Sequence, residues 1–145
     1  VGVSLAARFK KKNFYTFVLI GDGECNEGSI WEAALLAPSL NIDNLIAIID
    51  YNKWQATGRS TEIMAMEPLT MKWESFGWDC YEIDGHNFSE LEDALGKIQQ
   101  IANKPHVIIA HTIKGKGISF MEDDNNWHYR TPNHSELSAA LKELE

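Results

Sequence analysis

Three continuous apolar runs, rich in β-branched and aromatic residues, most constrain how this chain of 145 residues can fold. They occupy positions 14–20, 45–49 and 106–110. An apolar run without polar alternation is typical of a strand covered on both faces, as in a parallel sheet. The run at 14–20 is therefore expected to be a central strand with a neighbour on each side. A shorter run from Trp78 to Ile83 predicts a fourth strand.

Helical patterns separate these runs. Positions 29–40 carry apolar residues at helical spacing. Ser89 is predicted to cap a second helix, whose apolar stripe comprises Leu91, Ala94, Leu95, Ile98 and Ile101. Strand and helix in alternation favour right-handed crossovers. The sequence therefore predicts an α/β fold with a mostly parallel sheet and helices on both faces.

Both ends of the chain have helical patterns. Positions 1–9 read as the back half of a helix with no cap ahead of it, and 135–145 predict an amphipathic helix. We expect the chain to start inside a domain, so that 1–145 forms one partial domain. Two long irregular stretches, 51–68 and 114–133, each follow the carboxyl end of a strand, where ligands bind in such sheets.

The composition excludes several function classes. A net charge of −8, from 13 basic and 21 acidic residues, argues against a general nucleic-acid-binding protein. No apolar run approaches the ~20 residues that span a bilayer, so no membrane association is expected. Cys25 and Cys80 lack metal-type spacing and favour a reducing, cytoplasmic location.

A glycine-rich turn, Gly21-Asp22-Gly23-Glu24, directly follows the first apolar run. Glycines let a ligand approach the backbone closely, and Asp22 can offer a hard oxygen ligand to a cation. The alternative interpretation is a tight polar turn without a ligand.

Asn52 leaves the next strand at the same predicted edge, thirty positions after Asp22. A carboxylate, an amide oxygen and a nearby backbone carbonyl supply half an octahedron, which Mg²⁺ typically completes with phosphate oxygens and water. The alternative for Asn52 is an Asx-turn.

Gly-Asp-Gly followed after about thirty residues by Asn resembles the signature of thiamine diphosphate enzymes. Neighbouring motifs are similar to those of transketolases: Glu27-Gly28, Glu32-Ala33-Ala34, Thr112-Ile113-Lys114-Gly115-Lys116-Gly117 and Trp127-His128. The resemblance runs from position 1 to about 132. The chain departs from it at Tyr129, where many relatives have glycine, and at Trp54, where an aliphatic residue is common.

The resemblance implies a thiamine diphosphate-binding fold and transfer of a two-carbon ketol unit from a ketose phosphate to an aldose phosphate. It implies thiamine diphosphate and Mg²⁺ (or Ca²⁺ or Mn²⁺) as cofactors. By the same resemblance, the cation ligands are Asp22, Asn52 and the backbone carbonyl of Trp54. Further cofactor-binding residues are Gly23, Glu24, Lys114 and His128. His128 is the catalytic candidate, and Glu27 and Glu32 are expected at a dimer interface that links two active sites.

Each of these candidates outside the metal site has a structural alternative. Lys114 can be an ordinary exposed lysine, and His128 can pack beside Trp127. Glu27 and Glu32 can simply place favourable negative charge in the first turns of a helix.

The resemblance also implies a partner. The glutamate that activates the cofactor lies, in this family, in a separate pyrimidine-binding domain. We therefore expect a C-terminal transketolase subunit as partner, a homodimer of the assembled pair, and sugar phosphate substrates. A split transketolase is favoured over a fragment of a longer chain. Two alternatives remain: another thiamine diphosphate enzyme, such as a deoxyxylulose phosphate synthase or a dehydrogenase subunit, and a non-catalytic module with the same fold.

Overall fold

Four parallel strands form the sheet in the computed structural model, which describes residues 1–98 and 103–145. Their order across the sheet is β1-β2-β6-β5. Their bounds are Thr16–Gly21 for β1, Leu45–Tyr51 for β2, Asp79–Asp84 for β5 and His106–His111 for β6. The predicted α/β class and all four predicted strands are confirmed.

Helices cover both faces of this sheet. The helices of the described residues are α1 (Gly2–Phe9), α2 (Gly28–Ser39), α3 (Ser60–Ile63), α4 (Leu69–Ser75), α5 (Phe88–Ile98) and α6 (His134–Glu143). On one face α2 and α4 close a core that includes Ala34, Ile49 and Trp73. On the other face α5 packs Ala94 and Ile98 against the sheet. Within the described ranges, no helix is both long and apolar enough to cross a bilayer.

The expectation that the first strand is central is wrong for this structure. β1 lies at the edge of the described sheet, with β2 as its partner. Phe17 and Leu19 point to the α5 face but are 55% and 71% exposed, because α5 packs over the other strands. An apolar run reveals that a strand suits a covered position, but it does not fix the position of that strand in a sheet.

The cap of α5 also differs from the prediction. The side-chain oxygen of Asn87, not that of Ser89, accepts hydrogen bonds from the first turn, at 3.1 Å from Ser89 N and 3.4 Å from Glu90 N. Asn87 in turn donates to Glu90 Oε1 at 2.9 Å, so the two side chains secure the helix start together. Ile101 of the predicted stripe lies outside the described residues.

The two stretches predicted to be irregular are partly ordered. The first contains a small antiparallel hairpin of β3 (Trp54–Gln55) and β4 (Gly58–Arg59), followed by α3. The second contains a 3-10 turn at Asn125–His128. The register pairs Gly21 with Asp50 and continues to β6, so both stretches and the glycine turn leave the sheet at one edge.

Candidate functional site

Asp22 is the buried centre of this edge. It opens a 3-10 turn at Asp22–Asn26 directly after β1 and is 1% exposed. Its Oδ2 atom accepts hydrogen bonds from Lys53 N and Ser60 Oγ, both at 2.8 Å. Burial raises the pKa of Asp22, although the hydrogen bonds from Ser60 and Lys53 oppose that shift. A cation beside this carboxylate would favour its charged form.

Asn52 begins the loop after β2 and makes the Asx-turn that the sequence left open. Its Oδ1 atom accepts from Trp54 N at 2.9 Å, and its Nδ2 atom donates to Asp50 Oδ2 at 3.2 Å. The residue between them, Lys53, has a positive φ of 68°. The N–H of Lys53 donates to Asp22 in this conformation, so the turn and the Asp22 contact occur together.

The glycine turn is held by its own side chains. Glu24 folds back so that Oε2 accepts from Gly21 N at 2.6 Å. Gly23 packs against Gln55, since a Cβ atom at Gly23 would lie 3.2 Å from Gln55 Cγ. The small size of Gly23 therefore allows the hairpin to approach the turn, and Glu24 has a structural task in addition to the predicted cofactor contact.

The side chains of Lys114 and His128 are in contact within the second irregular stretch, the loop after β6. Lys114 Nζ lies 3.4 Å from His128 Nδ1, which joins the two ends of this segment. His128 is exposed, and its ring makes an edge contact with Tyr129 at 4.7 Å between centroids. The loop between them is tightly packed: Gly115 has a φ of 72°, and a Cβ atom there would lie 2.5 Å from Met121 O.

A cleft of about 590 Å³ opens between these loops on the α5 face. Its lining brings together Asn52, Lys114 and His86, with apolar walls from Leu19 and Ile48. His86 Nε2 accepts from Ile113 N at 2.8 Å, which ties the cleft wall to the second loop. Asp22 is not part of this lining, but it accepts from Lys53, the residue after Asn52.

Glu27 and Glu32 are separate from this cleft. Glu27 precedes α2 and Glu32 lies within it, and both side chains are exposed. The same helix exposes Leu35 and Leu36. Acidic and apolar side chains on one helix suit an interface, and the interface role stays a prediction.

Residues 4–144 match the family described as transketolase, thiamine diphosphate binding domain. The chain belongs to the transketolase family. The family match places the predicted diphosphate-binding turn and both long loops inside a thiamine diphosphate-binding domain.

Individual transketolase relatives agree with this assignment. The chain is 45% identical over its full length to a subunit of the apulose-4-phosphate transketolase of Actinobacillus succinogenes and covers 52% of that protein. It is 43% identical over its full length to the 6-deoxy-6-sulfo-D-fructose transketolase subunit SqwG of Clostridium sp. strain MSTE9 and covers 53% of it. The chain thus spans about half the length of these curated relatives.

A solved transketolase has the same fold. The crystal structure of transketolase from Campylobacter jejuni superposes with a TM-score of 0.91 at 28% identity, over 98% of this chain and 23% of the other. The predicted thiamine diphosphate-binding fold is therefore confirmed.

Sequence reasoning missed several residues that build this candidate site. Ser60 hydrogen bonds Asp22 from 38 positions away, and Asp123 contacts the hairpin from 64 positions away. Asn125 donates to Gln55 O at 2.9 Å and so joins the two loops at a second point. Local pattern carries no signal for such contacts. The acidic run at 122–124 inside a glycine-flanked loop was the one available hint for Asp123.

Proposed function

We propose that this chain is the diphosphate-binding part of the N-terminal subunit of a transketolase, which transfers a two-carbon ketol unit from a ketose phosphate to an aldose phosphate. The observation that carries the proposal is the contact between the two halves of the motif. The loop of Asn52 reaches the Asp22 carboxylate through Lys53 N. Lys114 and His128 pair at the same edge of the sheet.

The donor set fits a hard divalent cation. Asp22 and Asn52 present carboxylate and amide oxygens, which Mg²⁺ prefers. The Trp54 carbonyl is the proposed third ligand. Among the described residues, no basic side chain donates to the buried Asp22. This also fits, because a cation would compensate the charge that burial penalises. Mg²⁺ is the proposed ion, with Ca²⁺ or Mn²⁺ as substitutes.

The remaining roles follow from position. Gly23 and Glu24 lie at the turn that would face the cofactor diphosphate, and Lys114 would balance phosphate charge from the cleft wall. Because Nδ1 of His128 faces Lys114, Nε2 is the atom proposed to exchange a proton with a substrate oxygen. Thiamine diphosphate, when bound, supplies the nucleophile and the electron sink of two-carbon transfer.

A partner subunit is part of the proposal. Two relatives are named as subunits of transketolases that act on apulose-4-phosphate and on 6-deoxy-6-sulfo-D-fructose. By analogy, this chain would use a sugar phosphate or related sugar and pair with a C-terminal subunit that carries the pyrimidine-binding domain. The proposed assembly is a homodimer of such pairs in the cytoplasm, with Glu27 and Glu32 at the interface. Positions 1–145 would form one part of the diphosphate-binding domain.

Reconstitution tests this function. The chain, the longer subunit that contains it and the pyrimidine-domain subunit are mixed with thiamine diphosphate, Mg²⁺, a ketose phosphate and an aldose phosphate. We expect two-carbon transfer only when the longer subunit and its partner are both present. Turnover by the isolated 145-residue chain would contradict the proposed division of the active site. Cofactor binding without any transfer, over a panel of sugar phosphates, would favour the non-catalytic module.

A further inference from the structure

A contact of three residues joins the loop after β2 to the loop after β6, and the function proposed above gives this contact no role. Asp123 Oδ1 accepts from Trp54 Nε1 at 2.8 Å and from Arg59 Nη1 at 2.7 Å, and Asp123 Oδ2 accepts from Arg59 Nη2 at 2.6 Å. The Arg59 guanidinium also stacks on the Trp54 ring, 3.7 Å from its centroid. We name this contact, of Trp54, Arg59 and Asp123, the loop clasp.

The hairpin side of the clasp is part of the predicted metal loop. Trp54 and Arg59 are cross-strand partners in the β3–β4 hairpin. Directly after Arg59, Ser60 donates to Asp22, and directly before Trp54, Lys53 does the same. Trp54 and Arg59 are therefore each adjacent in sequence to a residue that donates to the Asp22 carboxylate.

The other side of the clasp belongs to the Lys114 loop. Asp123 has a φ of 57°, and its N–H donates to Lys114 O at 2.8 Å. A bidentate arginine–carboxylate pair is more specific in geometry than a single ion pair, and the tryptophan N–H adds a third directed bond. Asp123 thus connects Lys114 to the hairpin. Its backbone N–H bonds to Lys114, and its side chain bonds to the hairpin.

We propose that Asp123 is a positioning residue, which holds the loop of Lys114 and His128 against the loop of Asn52 and Trp54 before any ligand is bound. The loops on the two sides of the cofactor site are then ordered in advance, so that binding does not have to order them. The identity of the ligand rests on the proposed function, whereas the coupling between the loops does not.

The test combines backbone hydrogen exchange with cofactor binding in the complete protein that contains this chain, assembled with its pyrimidine-domain partner. Asp123→Gly removes the side chain and tolerates the positive φ. Arg59→Met removes the hairpin partner and keeps the apolar stem. Glu122→Gln is the matched control: this neighbouring acid bonds to Lys116 and Gly117 inside its own loop.

Without ligand, we expect Asp123→Gly and Arg59→Met each to accelerate exchange at the amides of residues 114–128 by about tenfold, while Glu122→Gln changes it less than about twofold. The double variant should exchange no faster than Asp123→Gly alone, because both changes remove one coupling. In the Mg²⁺ and thiamine diphosphate titration, both single variants should weaken cofactor affinity about tenfold, and a saturating concentration of the cofactor should restore most of the turnover.

Two results overturn the inference. Unchanged exchange in Asp123→Gly shows that the clasp does not order the loop, whether or not the cofactor binds. Faster exchange with wild-type cofactor affinity reduces the clasp to a structural contact. If the wild-type protein itself fails to bind thiamine diphosphate, the proposed function fails, and the exchange measurements still decide the coupling between the loops.

Discussion

The backbone N–H of Lys53 donates a 2.8 Å hydrogen bond to Oδ2 of Asp22, across 31 positions of sequence. This bond joins the two halves of the predicted cation site. Lys53 has a left-handed backbone, and that conformation accompanies the Asx-turn of Asn52. The Asx-turn and the metal site were competing interpretations of Asn52, but the turn lies directly beside the Lys53 N–H that donates to Asp22, so the two interpretations are compatible.

His128 is expected to affect catalysis far more than cofactor affinity. His128→Ala should leave thiamine diphosphate affinity within about tenfold, a change of at most about 1.4 kcal/mol. Turnover should fall by about 10²–10⁴-fold, the usual contribution of general acid–base catalysis. His134→Ala, an exposed histidine at the start of α6, is the control. Steady-state kinetics and a melting curve on both variants separate the roles: reduced stability with normal turnover would make His128 a packing residue.

Gly115 is expected to be intolerant of any side chain. Its φ of 72° disfavours alanine, and the added Cβ would meet Met121 O at 2.5 Å. Gly115→Ala should therefore destabilise the loop by about 1–3 kcal/mol. Gly96→Ala, within α5 where a Cβ meets nothing within 4 Å, should instead stabilise by about 0.5–1 kcal/mol. Denaturant unfolding of both variants checks the contrast; equal effects would contradict the strained geometry.

Glu82 is expected to make the stability depend on pH in the acidic range. Hydrogen bonds from Thr70 and then His111 hold the pKa of Glu82 below its ordinary value of 4.5. A lowered folded-state pKa stabilises the fold above the unfolded value, and this gain is lost as the pH falls through the folded value. Because the side chain is 51% exposed, the gain at pH 7 should be only a few tenths of a kcal/mol.

The measurement is the difference in unfolding free energy between wild type and Glu82→Gln from pH 7 down to pH 3. The difference should shrink below pH 4.5 as Glu82 becomes protonated. Glu92→Gln, exposed on α5, serves as the control for charge removal. A difference that stays constant over this range would contradict the assignment.

The α/β architecture was predictable from the sequence, because continuous apolar runs separated by helical patterns fit only a few arrangements of strands and helices. It also located Asp22 and Asn52, since residues that directly follow parallel strands meet at one edge. The edge position of β1 was not predictable, because strand order depends on packing between distant segments. Asn87 and Ser89 are both good capping residues two positions apart, and only the backbone conformation decides between them.

The rest of the site depends on contacts across long separations. Ser60 reaches Asp22 over 38 positions, and Asp123 reaches Arg59 over 64. No local periodicity or capping rule addresses such pairs, because their meeting follows from how two loops leave the same sheet edge. The sequence therefore predicted where the two loops lie in the chain, but not the contacts that order them.

Asp22 is the proposed ligand of the cation through which the cofactor diphosphate binds. Calorimetric titration of thiamine diphosphate into the assembled protein, with Mg²⁺ and then with a chelator, tests this proposal most directly. Asp22→Ala is compared with Asp22→Asn, which keeps the side-chain volume, and with Asp43→Ala on the loop before β2. Circular dichroism verifies that each variant is folded.

We predict tight binding only with Mg²⁺ in wild type and Asp43→Ala, and a loss of more than about a hundredfold in folded Asp22→Ala and Asp22→Asn. Affinity that is independent of Mg²⁺, or that is unchanged when Asp22 is replaced, would contradict the account.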